Sequence, residues 1–172
     1  MNLSVERINR KSPYWVIQLD DLTFRFNTKN GISYRVGFYQ DKYFLGEKAY
    51  HFFITNENEI FAPKDNNVFS VITIVLEEFF RSDKSVMLYI CDPQDHREQT
   101  RANLYQRWFS IYPRRRKMTL KTVELAFDDY IVYAGMILRN DNPEYNERID
   151  DFNEFVKRAN KIYSVDDKPE IC

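Results

Sequence analysis

The chain has 172 residues, 44% hydrophobic and 30% charged, with four Gly, six Pro and two Cys. That length supports one self-sufficient core, and the composition excludes low complexity, extended disorder and a disulfide scaffold. Net charge is −1, from 25 basic and 26 acidic residues, so bulk attraction to nucleic acid is not expected. The charge is nonetheless uneven. Residues 95–123 set Arg97, Arg101, Arg107, Arg114, Arg115, Arg116, Lys117 and Lys121 against only Asp95 and Glu98, whereas acidic groups dominate residues 124–172.

Met1 to Arg7 lacks the apolar core of a secretory signal, and a cytoplasmic location is therefore expected. The longest apolar run, Val68 to Leu76, is far short of the roughly 20 residues that a membrane span needs, so no membrane association is expected. Tyr14–Leu19, Thr23–Thr28 and Ile32–Gln40 are rich in aromatic and β-branched residues and read as strands, the last two joined by an Asn30-Gly31 turn. Tyr50–Thr55, after the Gly46 loop, is a further strand. From Val68 to Arg81 the spacing of Phe69, Ile72, Val75, Leu76, Phe79 and Phe80 predicts a helix. Val86–Cys91 is a continuous apolar run and predicts a strand covered on both faces.

Asp92-Pro93-Gln94-Asp95 has the composition of a helix start, with two carboxylates to cap free amides and Pro at the first position, and predicts a helix to about Tyr112. Met118–Phe127 and Tyr130–Leu138 flank Asp128-Asp129 as a second hairpin. Asn142-Pro143-Glu144 caps a last helix whose buried stripe is Tyr145, Ile149, Phe152, Val156, Ala159 and Tyr163. The order of elements lacks βαβ alternation. It predicts an α+β single domain over residues 1–164, an antiparallel or mixed sheet of six to seven strands with three helices packed mainly on one face, and a frayed tail at 165–172. Unprotected sheet edges would favour a homodimer.

Four Gly leave no phosphate-cradling loop and no nucleophile elbow, so no nucleotide is expected. His51 and His96 stand alone, and Cys91 and Cys172 cannot form a thiolate cage, so neither metal nor cofactor is expected. Attention falls on the segment after Cys91. Arg97, Arg101, Leu104, Tyr105 and Trp108 share one helical stripe, and partly buried guanidinium groups need anionic partners. Asp92 or Asp95 supplies that partner if the arginines form an internal clamp; otherwise the strand-to-helix junction is an open anion site. Asp92, Asp95 and Glu98 with His96 also invite a nuclease reading, but caps explain the two aspartates. Arg114, Arg115, Arg116 and Lys117 form a basic loop beside Trp108, Phe109 and Tyr112, a combination that holds nucleic-acid backbone when the aromatics are exposed and is merely solvated when they are not. The acidic last helix would neutralise this segment if it folded back over it.

The stretch Leu88 to Phe109, LYICDPQDHREQTRANLYQRWF, resembles a family of uncharacterised Bacteroidetes proteins, a domain of unknown function. Phe24-Arg25-Phe26, Asn30-Gly31, Tyr34-Arg35-Val36 and the Ile72–Phe80 helix extend the resemblance over most of the chain. It implies a bacterial cytoplasmic protein and carries no activity or catalytic residue. The functional expectation is a non-enzymatic binding or interaction module, with Arg97, Arg101, Arg107, Arg114, Arg115 and Arg116 contacting an acidic protein partner or another anion. Nucleic-acid binding through the same segment is the alternative, and a hydrolase or nuclease comes third.

Overall fold

The computed structural model describes residues 1–42, 45, 48–60, 62–82, 84–91, 93–127 and 130–164, with side chains as far as Ala159. Asp92, the Gly46 loop position, the Asp128-Asp129 turn, the Tyr163 side chain and the 165–172 tail with Cys172 lie outside the described residues. In chain order the elements are α1 (Val5–Asn9), β1 (Val16–Gln18), β2 (Thr23–Asn27), β3 (Ser33–Gln40), β4 (Ala49–Asn56), α2 (Asn66–Phe79), β5 (Val86–Cys91), α3 (Glu98–Ile111), a 3-10 turn (Arg115–Lys117), β6 (Met118–Ala126), β7 (Ile131–Arg139) and α4 (Tyr145–Ser164). This is an α+β domain built on one mixed seven-stranded sheet in the order β1-β2-β3-β4-β5-β7-β6.

Only the β4–β5 pair is parallel, with Tyr50 opposite Met87. A parallel pair needs a crossover, and α2 supplies it. The β2–β3 hairpin turns at Gly31, whose φ of 75° suits a residue without a Cβ. On the front face of the sheet Phe24, Phe26, Val36, Phe38, Tyr50 and Phe52 meet Val71, Ile72, Val75 and Phe79 of α2, with Ile8 of α1 and Tyr112 after α3 in the same cluster. On the back, Val86, Leu88, Met136 and Leu138 meet Tyr145, Ile149, Phe152 and Val156 of α4. β5 therefore contributes Met87 to one layer and Val86 and Leu88 to the other, which is why its sequence is apolar without alternation.

Among the described residues four α-helices are present where three are expected. α1 has five residues, too few to show a period, and it starts where the Ser4 hydroxyl accepts the Arg7 amide at 3.3 Å. Three helices cover the front and α4 alone takes the back, so of the two alternatives for the acidic helix the fold-back over the basic segment is not the one adopted: the sheet lies between α3 and α4. The β1 edge is covered at Val16. Asn9 donates its side-chain amide to the Val16 carbonyl at 2.8 Å and accepts the Val16 amide at 2.8 Å, occupying the groups that a second strand would use.

The expected helix start at Asp92-Pro93 is overturned. Pro93 to His96 forms a turn closed by the His96 amide on the Pro93 carbonyl at 3.1 Å, and His96 has a φ of 56°, which no α-helix admits. Asp95 accepts the Arg97 amide at 3.2 Å, so the helix is delayed to Glu98 with Arg97 as its N-cap. The stripe shifts accordingly. Ala102 is buried, Tyr105, Trp108 and Phe109 are partly buried against the core, and Leu104 and Arg97 are exposed.

At Gly135 a Cβ would lie 2.4 Å from Cζ of Tyr89, whose ring covers the glycine from the neighbouring strand. Tyr89 is itself buried under α3 and cannot swing aside. Gly135→Ala is expected to destabilise the fold by about 1–3 kcal/mol, as overpacked cores do; a urea midpoint equal to wild type would show that Tyr89 is not so confined.

Candidate functional site

The arginines of the basic segment go to three separate places. At the N-terminus of α3, Arg101 donates two hydrogen bonds to Asp95, at 2.9 and 2.7 Å. The guanidinium holds the Asp95 carboxyl down to about 2, well below the usual carboxylate range. Arg97 is exposed beside it. Beneath them, burial pushes the Cys91 thiol up to about 11, partly offset by Arg101 and reinforced by Glu98, and burial pushes the Tyr105 hydroxyl up to about 12. A thiol protonated at neutral pH is a packing group, not a nucleophile. Asp95 and His96 lie exposed in the turn, and among the described residues no group of three or more His, Cys, Asp or Glu side chains converges on a metal-sized position.

Arg107, exposed halfway along α3, faces a groove against the N-terminal end of α2. Arg115 and Arg116 are exposed in the 3-10 turn. Tyr112 is buried and Trp108 and Phe109 pack against the core, so the aromatics flanking the basic loop serve the interior.

Arg114 reaches a third place, which sequence reasoning missed. It joins Arg7, Arg10 and Lys11 from the end of α1 and Arg81 from just beyond α2, around Glu77 and Glu78, in a cleft of about 210 Å³. Five cations thus surround two carboxylates. Three segments, from the start, middle and later part of the chain, contribute to it. No local charge run could have revealed it, since Arg7, Arg10 and Lys11 are ordinary in their own stretch.

The pairs within the cleft differ in strength. Glu78 is buried, with a side chain 6% exposed, and accepts Nε of Arg7 at 3.0 Å on each oxygen and the Ser4 amide at 3.2 Å. Burial alone would raise the Glu78 pKa, but these bonds and the charges of Arg7 and Arg81 outweigh it and hold it below the ordinary value. Arg7 and Glu78 therefore fasten α1 to α2. The remaining contacts are longer, and their cations are exposed: Arg81 to Glu78 at 3.9 Å, Arg114 to Glu77 at 3.9 Å and Lys11 to Glu77 at 3.4 Å. Exposed pairs of this kind contribute about 0–1 kcal/mol, so an incoming anion can take over these cations at little cost. Arg10 has no carboxylate within ion-pair distance among the described residues.

One buried ionisable pair lies outside this region: His51 contacts Asp41 through Nε2 at 3.1 Å on the back of β4, with Tyr39 stacked on the imidazole at 4.9 Å. The sequence reading had treated His51 as solitary because the partner lies across the strand ladder.

The chain belongs to a family of unknown function, DUF6169, whose model matches residues 64–154. The match spans α2 to the first half of α4 and includes Glu77, Glu78, Arg81, Arg107 and Arg114, but not the α1 contribution to the cleft. No curated protein and no solved structure matches the chain.

Because the Glu78 pKa is lowered in the folded state, its stabilising contribution is complete above the ordinary value of 4.5 and is lost as pH falls through the folded value. Glu78→Gln is expected to lower the melting temperature at neutral pH and to flatten its fall between about pH 5 and 3. Thermal melts across that range check this; a wild-type slope in the variant would mean that Glu78 is not the group responsible.

Proposed function

We propose that the protein is a binding module that takes an acidic protein segment into the cleft between α1, α2 and Arg114, as the non-enzymatic member of a cytoplasmic complex in a bacterium, with Bacteroidetes the source that the resemblance implies. The observation that carries this reading is the convergence of five cations from distant parts of the chain around two carboxylates. Arg7 is committed to Glu78; Arg10, Lys11, Arg81 and Arg114 are held loosely or not at all. Fixed like charges side by side cost free energy unless something anionic joins them.

A compact cleft with Glu77 and Glu78 inside it fits a few carboxylates better than a nucleic-acid backbone, which carries a charge about every 1.7 Å on a duplex and would meet those two glutamates. The net charge of −1 adds no long-range attraction to such a polyanion. Arg97, Arg101, Arg107, Arg115 and Arg116 remain secondary contributors to the surface, with Arg101 tied to Asp95. Homodimerisation through β1 is disfavoured by the Asn9 clasp.

The test is fluorescence anisotropy of fluorescein-labelled hexaglutamate against the full chain at about 50 mM salt, where exposed charges are screened little. Arg81→Gln with Arg114→Gln, both exposed and weakly paired, is expected to reduce affinity at least about tenfold with only a small change in the melting curve. Equal affinity in the variant would refute the cleft as the binding site, and tighter binding of a labelled oligonucleotide than of hexaglutamate would put nucleic acid in its place.

A further inference from the structure

The cleft occupies one end of α2. At the other end lies a second depression, a groove of about 410 Å³ between the N-terminal turn of α2, the preceding loop and α3. Its floor includes Phe69 and Trp108, and its rim carries Lys64 and Arg107. Two aliphatic side chains of α3 line it while staying open to solvent, Leu104 at 38% and Ile111 at 52% exposed. Leu104, Arg107 and Ile111 follow one another along α3 at three- and four-residue steps and line the groove, and Arg114, three residues beyond the end of α3, lies in the cleft.

The acidic group at the groove is already used. Asp65 accepts the Tyr14 hydroxyl at 2.5 Å and caps the Asn67 amide at 2.9 Å. Lys64 and Arg107 have no carboxylate within ion-pair distance among the described residues. The groove is therefore apolar in its floor and cationic at its rim, and it continues the sign of the cleft. From Asn66 at the groove to Glu77 at the cleft is eleven residues of α2, about 16 Å at 1.5 Å per residue.

Resting on the reading of the cleft given above, we infer that the partner is a protein segment that carries an aliphatic anchor and an acidic cluster about 16 Å apart, lying over α2 with the anchor against Leu104 and Trp108 and the carboxylates at Arg81 and Arg114. Charge complementarity selects an acidic occupant, and Glu77 and Glu78 in the cleft, together with the exposed aliphatic Leu104 beside Trp108, favour a peptide over a nucleic-acid backbone. The acidic helix α4 of a second copy does not supply the pattern, because its apolar stripe is already against the sheet.

Three labelled peptides test this against the full chain. One is hexaglutamate; the second joins a Leu-Leu pair to a Glu cluster through a helical spacer of about eleven residues; the third has the same ends and a spacer of about four residues. The matched peptide is expected to bind about tenfold tighter than hexaglutamate, with the short-spacer peptide no better than hexaglutamate. Leu104→Asp, an exposed change, is expected to remove the gain of the matched peptide and leave hexaglutamate binding intact. Equal affinity of all three peptides would overturn the inference while the cleft stands. If none of them binds, the reading of the cleft fails with it, and an oligonucleotide that binds tighter than the matched peptide overturns both.

Discussion

The position of α2 is fixed by Phe79. Its ring is fully buried, stacked on Phe38 of β3 with centroids 4.1 Å apart and met edge-on by Tyr50 of β4 at 5.7 Å and by Phe80 at 4.9 Å. Aromatic contacts add to a large apolar burial, so this end of the helix has few ways to move. The constraint matters because α2 is also the crossover that makes β4 and β5 parallel. Once it is seated, α1 can dock only along one side of it and α3 only along the other, and the two depressions beside α2 follow from that placement.

Charge is distributed over this frame in two ways. Where a carboxylate is buried or strongly bonded, as Glu78 is by Arg7 and Ser4 or Asp95 by Arg101, the pair fastens one element to another or tightens a turn. Where pairs are long and solvated, as at Arg81 and Arg114, the cations contribute little to stability and remain exchangeable. The basic stretch of residues 95–123 is thus not one surface. Arg101 is spent locally, Arg107 serves the groove, and Arg114 joins cations brought by the start of the chain.

Much of the fold was legible because it depends on local pattern. The Asn30-Gly31 turn needed positive φ, and Gly31 has it. The apolar run of β5 required two covered faces, and α2 and α4 provide them for Val86 to Leu88, while Ile90 is left 49% exposed. What the sequence hid depends on contacts between distant residues or on choices between local alternatives. Asp-Pro is compatible with a helix start and with a turn, and the positive φ at His96 decided for the turn. α1 is too short for periodicity, and the Asn9 clasp on Val16 has no sequence signature. The cleft was invisible for the same reason: Arg7, Arg10, Lys11, Arg81 and Arg114 meet only through tertiary packing.

The most direct measurement is an amide ¹H–¹⁵N correlation spectrum of the full chain titrated with unlabelled hexaglutamate. Perturbations confined to the amides around Arg7–Lys11, Glu77–Arg81 and Arg114 are the expected result. Shifts centred instead on the Pro93–Arg101 turn, or the absence of shifts at saturating peptide, would contradict the assignment of anion binding to the cleft beside α2.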